Sequence, residues 1–415
     1  MRTALPVVLG NALEFYDFTI YAYFAAILGR QFFPADRPVV SLLLALAGYS
    51  AGFLARPFGA LLIGRLADVH GRRRGLLVTI LLMGLGTALI ALCPPYASIG
   101  LAAPLLVLLG RLLQGFSAGA EVGVASAWLM EMAHPRDRCY WVSWQLASQG
   151  AAALASALVA TLLHLTLSPQ AVETWGWRLA FGLGLSIVPM LFYIRRHLPE
   201  TRPPAPHAWR GTELLRTHRV ILLSGIALAA GGTIFVQAST HYLPIHLAEV
   251  LGFPQRLSFL VSCAVGASLL STAPLFGRLC DRLPRRKPVQ RLTLWVCMLC
   301  IVPVFALLNA GQSLWLSVLL ITLLMTVCAA SAGATFVMLM DAFPPHLRAT
   351  GLSLVYGVAV TLFGGTALLV MTWLVELTGS PMAPAWYAAL GCALSLFALG
   401  RFREDAAAPA ARASG

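Results

Sequence analysis

Long apolar runs alternate along the chain with short segments rich in arginine, proline and glycine. The runs are continuous rather than alternating residue by residue, and most reach the roughly 20 residues that an α-helix needs to cross a bilayer. They predict twelve transmembrane helices, at about residues 5–32, 41–65, 75–94, 103–131, 141–166, 177–195, 219–248, 257–278, 289–309, 313–342, 349–377 and 383–401. A membrane β-barrel would instead need ten-residue strands of alternating polarity. The expected fold class is an all-α membrane protein.

Composition supports the pattern. The 415 residues are 59% hydrophobic and 11% charged, with a mean hydropathy of +0.80, whereas a soluble domain carries roughly 25% charged residues. One buried core cannot absorb that deficit, because a soluble protein still needs a polar surface. The first run is not a cleaved leader: it is too long, it holds two acids, and no small-residue cleavage site follows. Cys297 and Cys300 form a C-x-x-C inside the apolar stretch LWVCMLCIV, where packing is expected rather than metal or redox chemistry.

The net charge of +13 would suggest a nucleic-acid partner if it lay on one surface. It does not. With the amino terminus inside, Arg30, Arg37 and Arg256 fall outside and Arg56, Arg111 and Arg178 fall within spans; every other lysine and arginine collects in the tails and even-numbered gaps. That asymmetry predicts both termini in the cytoplasm of a multi-pass plasma (inner) membrane protein. The charge is topology, and no nucleic acid is expected.

The two sides of the chain share punctuation. GRLADVHGRRR begins at Gly64 after span 2, and GRLCDRLPRRK begins at Gly277 after span 8. Glu131 and Arg138 follow span 4 with the same separation as Asp341 and Arg348 after span 10. Such repetition predicts a duplicated, pseudo-symmetric protein: an amino-terminal six-helix half (1–196), a central cytoplasmic loop (197–218), a carboxy-terminal six-helix half (219–402) and a cytoplasmic tail (403–415). An acid in a positive-inside loop is not required for topology. Asp68, Arg72, Glu131, Arg138, Asp281, Asp341 and Arg348 are therefore expected to cap helices or pair at the cytoplasmic mouth, and so to gate it.

These motifs carry a resemblance. Gly64, Leu66, Ala67, Asp68, Gly71, Arg72 and Arg73 resemble the signature loop of the major facilitator superfamily, and Arg111, Gln114 and Gly115 resemble its fourth-span motif. GNALEFYDF (10–18), ARPFGA (55–60), GRLLQGFSAGAE (110–121), WGWRLAF (175–181), LPET (198–201) and LFGGTA (362–367) are similar to the metabolite:proton symporters of that superfamily, with 110–200 looking nearest to the citrate and tricarballylate carriers. The resemblance implies two six-helix halves around a central cavity and alternating access. It also implies import of a di- or tricarboxylate with protons, driven by the proton gradient with no bound cofactor, by a monomer in lipid. Proton symport of a zwitterion such as betaine or proline is the alternative. Efflux of a drug or siderophore is disfavoured because span 5 lacks the Gly-Pro motif of the drug antiporters. Enzymatic chemistry is not expected.

Glu14, Asp17, Arg56, Arg111, Glu121 and Arg178 are ionisable residues placed within spans, where each costs a few kcal/mol unless paired or facing water. Glu14, Asp17 and Tyr21 share one face of span 1, and Arg111, Gln114 and Glu121 one stripe of span 4. Arg56 lies about 12 Å along its helix from Gly64, too deep to snorkel easily. A carboxylate carrier needs a fixed guanidinium to replace water around the anion and a group that changes charge between facing states. Arg111 is the first choice for the anion, with Arg56, Gln114, Gln149, Tyr21, His241 and Tyr356 as further substrate contacts. Glu14, Asp17 and Glu121 are the proton candidates. Arg178 is as easily structural as functional. For a zwitterion, Tyr16, Tyr21, Tyr23 and Phe24 would have to form an aromatic cage.

Overall fold

A computed structural model describes residues 5–70, 72–186, 188–189, 216–310, 313–344 and 348–402. The described residues are helical throughout, without strands. Nine helices among them are long and apolar enough to cross a membrane. The first half comprises α1 (Leu5–Tyr23, continued by Ala25–Phe32), α2 (Pro38–Leu54, continued by Arg56–His70), α3 (Arg72–Ala91), α4 (Ala102–Met132), α5 (Arg138–Thr166) and α6 (Trp177–Gly184). The second comprises α7 (Arg219–Gln237), α8 (Gln255–Asp281), α9 (Lys287–Asn309), α10 (Leu314–Ala329, continued by Ala332–Asp341), α11 (Arg348–Ala359, continued to Thr378) and α12 (Ala383–Arg401). These are the twelve expected spans in two six-helix halves. Three escape the length and hydropathy test for identifiable reasons. Span 1 carries its acids, the apolar stretch counted in α3, Leu77–Ala91, is short, and the predicted end of span 6 lies outside the described residues. So do the central segment up to 215 and the tail from 403.

Several spans expected to be single helices are interrupted. Pro57 can donate no backbone hydrogen bond, and its ring crowds the carbonyl four residues back. α2 accordingly breaks at Ala55. The carbonyl of Phe53 finds its donor across the bundle instead, in the Thr361 hydroxyl of α11 at 2.6 Å. Pro244 acts likewise on the carbonyl of Thr240, which accepts from Ser262 of α8 at 2.9 Å and from Tyr23 of α1 at 3.3 Å. Here α7 widens into a π-helical turn over Ala238–Tyr242. α11 does the same over Val360–Gly365, and α10 pauses at Ala330–Ser331.

Within the first half α4 packs on α2 and α3, and α1 on α5; within the second α7 packs on α12 and α8 on α10. The halves meet through α5 on α8, α4 on α11, α2 on α11 and α1 on α7. The α2–α4 seam leaves no room for side chains. A Cβ at Gly59, Gly115 or Gly119 would collide with the carbonyl of Phe116, Gly52 or Arg56. Gly115 and Gly119 are four apart, the small-xxx-small spacing by which membrane helices bring backbones together.

Candidate functional site

A cavity lies between the halves. Phe18, Thr19, Tyr49, Phe53, Arg56 and Gln149 line it from the first half. Gln237, His241, Gln290, Thr293, Thr335 and Tyr356 are among the lining residues of the second. Most of the wall is apolar, so the few polar groups dictate what it can hold.

Arg56 is the one arginine in that wall among the described residues, and it is 1% exposed. Neither its Nε nor either terminal nitrogen has a hydrogen-bond partner. Its guanidinium carbon lies 4.2 Å from the ring centre of Phe53 and 4.7 Å from that of Phe18, contacts that attract a cation but leave its in-plane donors free. Glu14, Tyr49 and Tyr356 are its charged and phenolic neighbours, and Tyr356 also neighbours Gln149. The break at Pro57 and the backbone contact with Gly119 set where this side chain begins. A buried guanidinium with unused donors can take a carboxylate in its planar fork.

Arg111, Gln114 and Tyr21, expected in the same wall, are not among the lining residues. Spacing along α4 gives depth but not what the facing helix offers. Here that helix presents rings, and the Arg111 guanidinium lies 4.5 Å from Phe18, 4.6 Å from Tyr21 and 5.0 Å from Tyr49. Tyr21 donates to the carbonyl of Ala45 at 3.1 Å. Arg111 Nη1 donates to Gln114 Oε1 at 2.8 Å, Gln114 Nε2 to the Thr87 hydroxyl at 3.0 Å, and Thr87 to Asp17 Oδ2. Glu14 and Glu121 neighbour one another beside Arg56. Three carboxyls and two guanidiniums are thus gathered in the first half, each at most 3% exposed. Arg178 stands apart, donating to the carbonyls of Thr174 and Cys93 at 2.7 and 2.9 Å.

Thr87 did not stand out in the sequence, because a lone threonine in an apolar helix carries no signal of its own. Asn11 lies inside GNALEFYDF but had no assigned role. It donates to Ser148 at 2.5 Å and accepts from Gln145 at 2.9 Å, clasping α1 to α5. Gln290 and Thr293 were likewise unmarked.

His241 lines the cavity, and its Nε2 lies 3.1 Å from the Thr19 hydroxyl of α1. The proposed aromatic cage is not assembled. Tyr16 donates to Ala180 of α6 at 2.9 Å, Tyr23 reaches Thr240, and Phe24 stacks on His164. The four rings lie at successive angles around α1 and point to four different neighbours.

Polar contacts between the halves lie on both sides of the cavity. At the arginine-rich end, Asp281 of α8 accepts from the backbone N–H groups of Cys139 and Tyr140 at 2.8 and 2.9 Å, capping α5. Asp341 lies 3.2 Å from Arg286, 3.4 Å from Arg348 and 3.8 Å from Arg138. The spacing of Glu131 and Arg138 suggested a pair like Asp341 and Arg348, but Arg138 turns across the interface to Asp341 and Glu131 is exposed. The side chains of Asp68 and Arg72 lie outside the described residues. At the opposite end Ser50 donates to the carbonyl of Gly365 at 2.6 Å, and Arg37 pairs with Glu376 at 2.8 Å.

Known proteins place this architecture. The chain is 38% identical over 388 residues to a citrate-proton symporter of Salmonella typhi, covering 92% of this chain and 89% of that protein. It is 32% identical over 396 residues to a proline/betaine transporter of Salmonella typhimurium, covering 91% and 78%. The crystal structure of a D-xylose-proton symporter superposes with a TM-score of 0.77 over 97% of both chains at 17% identity. Residues 7–358 match the model of the Major Facilitator Superfamily, and the chain belongs to that family of multi-pass membrane transporters.

Proposed function

We propose that the chain is a proton-coupled symporter that imports a small organic anion, a di- or tricarboxylate such as citrate, by alternating access. The observation that carries this reading is Arg56: a buried guanidinium with unused donors, in the wall of a cavity where the two halves meet. One carboxylate of the substrate pairs with it. The other carboxylates meet neutral donors, among them Gln149, Gln237 and Tyr356. The likeness to the citrate-proton symporter supports the same substrate class.

Coupling follows from charge balance. Glu14, Asp17 and Glu121 against Arg56 and Arg111 leave one surplus negative charge if all are ionised. A single proton on one of the three carboxyls neutralises the buried set. A substrate carboxylate arriving at Arg56 changes that balance, so anion and proton affect one another's binding. The proton gradient supplies the energy and no cofactor is needed. The protein works as a monomer in the cytoplasmic (inner) membrane. Its arginine-rich end and both termini face the cytoplasm by the positive-inside rule. The halves 1–196 and 219–402 rock about the cavity, and Asp281, Asp341 and their partners hold the cytoplasmic mouth shut.

The aromatic wall and the proline/betaine relatives point to a zwitterion as the competing substrate. Against it, the rings that would receive an ammonium, Phe18, Tyr49 and Phe53, already lie beneath the two guanidiniums. Purified protein in proteoliposomes, with an inward proton gradient, should accumulate labelled citrate or a related carboxylate and should ignore betaine and proline. Accumulation of betaine or proline but of no carboxylate would overturn the assignment.

A further inference from the structure

We infer that Thr87 is the positioning residue through which the protonation of Asp17 sets the hold on Arg111, an assignment that rests on the symporter reading above. Thr87 lies on the apolar helix α3 and is 0% exposed. Its single hydroxyl joins three partners. It accepts from Gln114 Nε2 at 3.0 Å and is within donating reach of two acceptors, Asp17 Oδ2 and the carbonyl of Met83, the latter at 3.0 Å. Gln114 in turn receives Arg111 Nη1 at 2.8 Å.

A hydroxyl has one proton to give and two lone pairs to receive with. While Asp17 is ionised, the carboxylate is the stronger acceptor and takes the Thr87 proton. A hydroxyl that donates to a charged acceptor becomes a better acceptor itself, and its bond to Gln114 tightens. When Asp17 carries a proton on Oδ2, the direction reverses. The carboxyl donates to Thr87, and the hydroxyl turns its proton to the Met83 carbonyl. Its oxygen then serves two donors, Asp17 and Gln114, with no charged acceptor behind it. The grip on Gln114, and through it on Arg111, loosens. Arg111 lies over Phe18 and Tyr49, both of which line the cavity. A change in its hold therefore reaches the substrate space through two rings.

The surroundings leave this route few competitors. The titratable groups that Asp17 feels are Arg111 of α4 and Glu14 and Tyr16 of its own helix. α6 offers Gly184, where even a Cβ would collide with Asp17 Oδ1. α5, on the other flank of α1, contributes neutral Gln145 and Ser148, both engaged with Asn11. A titratable group that the second half brings to α1 is His241, which is held by Thr19. Oδ1 has no hydrogen-bond partner, so among the described residues Thr87 is the hydroxyl that reads the carboxyl.

The test uses Thr87→Val, which keeps the shape and removes the hydroxyl, and Thr87→Ser, which keeps the hydroxyl. Both are compared with the unmodified protein in proteoliposomes, with labelled citrate as probe. Three quantities are read: exchange at equal pH, its pH profile, and protons taken up per citrate by an internal pH dye. Thr87→Val should exchange citrate with KM changed by less than about threefold. Its protons per citrate should fall about fivefold, the effect of one net hydrogen bond, and its pH profile should flatten. Thr87→Ser should restore ratio and profile. A valine variant with the parent's ratio and profile overturns the inference. So does one in which exchange and proton uptake fall together at an unchanged ratio, the mark of a merely structural side chain. A serine variant as defective as valine also overturns it. Should the unmodified protein move betaine and not citrate, the substrate assignment fails while the same ratio, read with betaine, still decides Thr87.

Discussion

In the first half, five ionisable side chains are buried in contact with one another or with shared rings: Glu14, Asp17, Arg56, Arg111 and Glu121. The second half faces the same cavity with Gln237, His241, Gln290, Thr293 and Tyr356. Among its described residues no aspartate, glutamate, lysine or arginine is buried. Two halves with repeated loops have thus diverged in their interiors. Charge is expensive in a bilayer and grows cheaper only where countercharges sit close. Gathering all of it in one bundle lets each acid and each guanidinium offset another, and leaves the other bundle neutral enough to slide past an anion. Binding strength should therefore reside in the first half, and discrimination among anions in the second.

The largest effect that would break this division is at Arg56. On the proposed anion site, Arg56→Gln would remove a charge-assisted pair of hydrogen bonds to substrate, worth about 3 kcal/mol, so citrate affinity should fall about 100-fold. Arg56→Lys should recover little, because a point charge does not reproduce the fork. Near-parental binding by isothermal titration in Arg56→Gln would move the anion site elsewhere. Next comes the seam between the halves. Asp281→Asn weakens a charged cap on α5 worth roughly 1–2 kcal/mol. Maleimide applied from the arginine-rich side should then label Cys328, one of the cysteines that line the cavity, about tenfold faster, and unchanged labelling would deny that the cap holds the halves together. Neutral donors of the second half come third. Tyr356→Phe and Gln237→Ala should each raise the KM for citrate about fivefold, one net hydrogen bond apiece. They should also shift the ranking of citrate against shorter dicarboxylates. A 100-fold loss from either would erase the contrast between the halves. Smallest is the surface pair Arg37–Glu376, whose partners are 68% and 46% exposed. Such pairs contribute 0–1 kcal/mol, and Arg37→Ala should alter turnover by less than about twofold.

The twelve spans and the sidedness of the arginines were legible because both are properties of local composition. A run is apolar or it is not, and a basic residue near a span end marks one side wherever the helix later packs. Pro57 and Pro244 were visible too, and a freed carbonyl four residues earlier follows from the ring alone. The donors that answer those carbonyls, Thr361, Ser262 and Tyr23, were not, since they arrive from other helices, Thr361 and Tyr23 from more than 200 residues away in the chain. The depths of Arg56 and Arg111 followed from counting residues, yet their ranking did not. Whether a guanidinium meets a cavity or a wall of rings depends on the rotation of its helix and on side chains from a neighbour. Thr87 shows the limit most plainly: its role rests on Asp17 and Gln114, which arrive from two other helices, and neither leaves a trace near residue 87.

The glycine seam between α2 and α4 has a practical meaning for anyone wishing to retarget the carrier. The origin of the Arg56 side chain is set by backbone pressed on backbone, with no side chain in between to be exchanged. Combinatorial libraries placed at Gly59, Gly115 or Gly119 should yield few foldable clones, and hardly any with altered preference. Libraries at Gln237, Gln290, Thr293 and Tyr356 meet no such geometric bar. Each of these side chains lines the same cavity from a bundle whose described residues include no buried aspartate, glutamate, lysine or arginine to be stranded, so selection there can vary the shape of the accepted anion while the proposed anchoring point stays put.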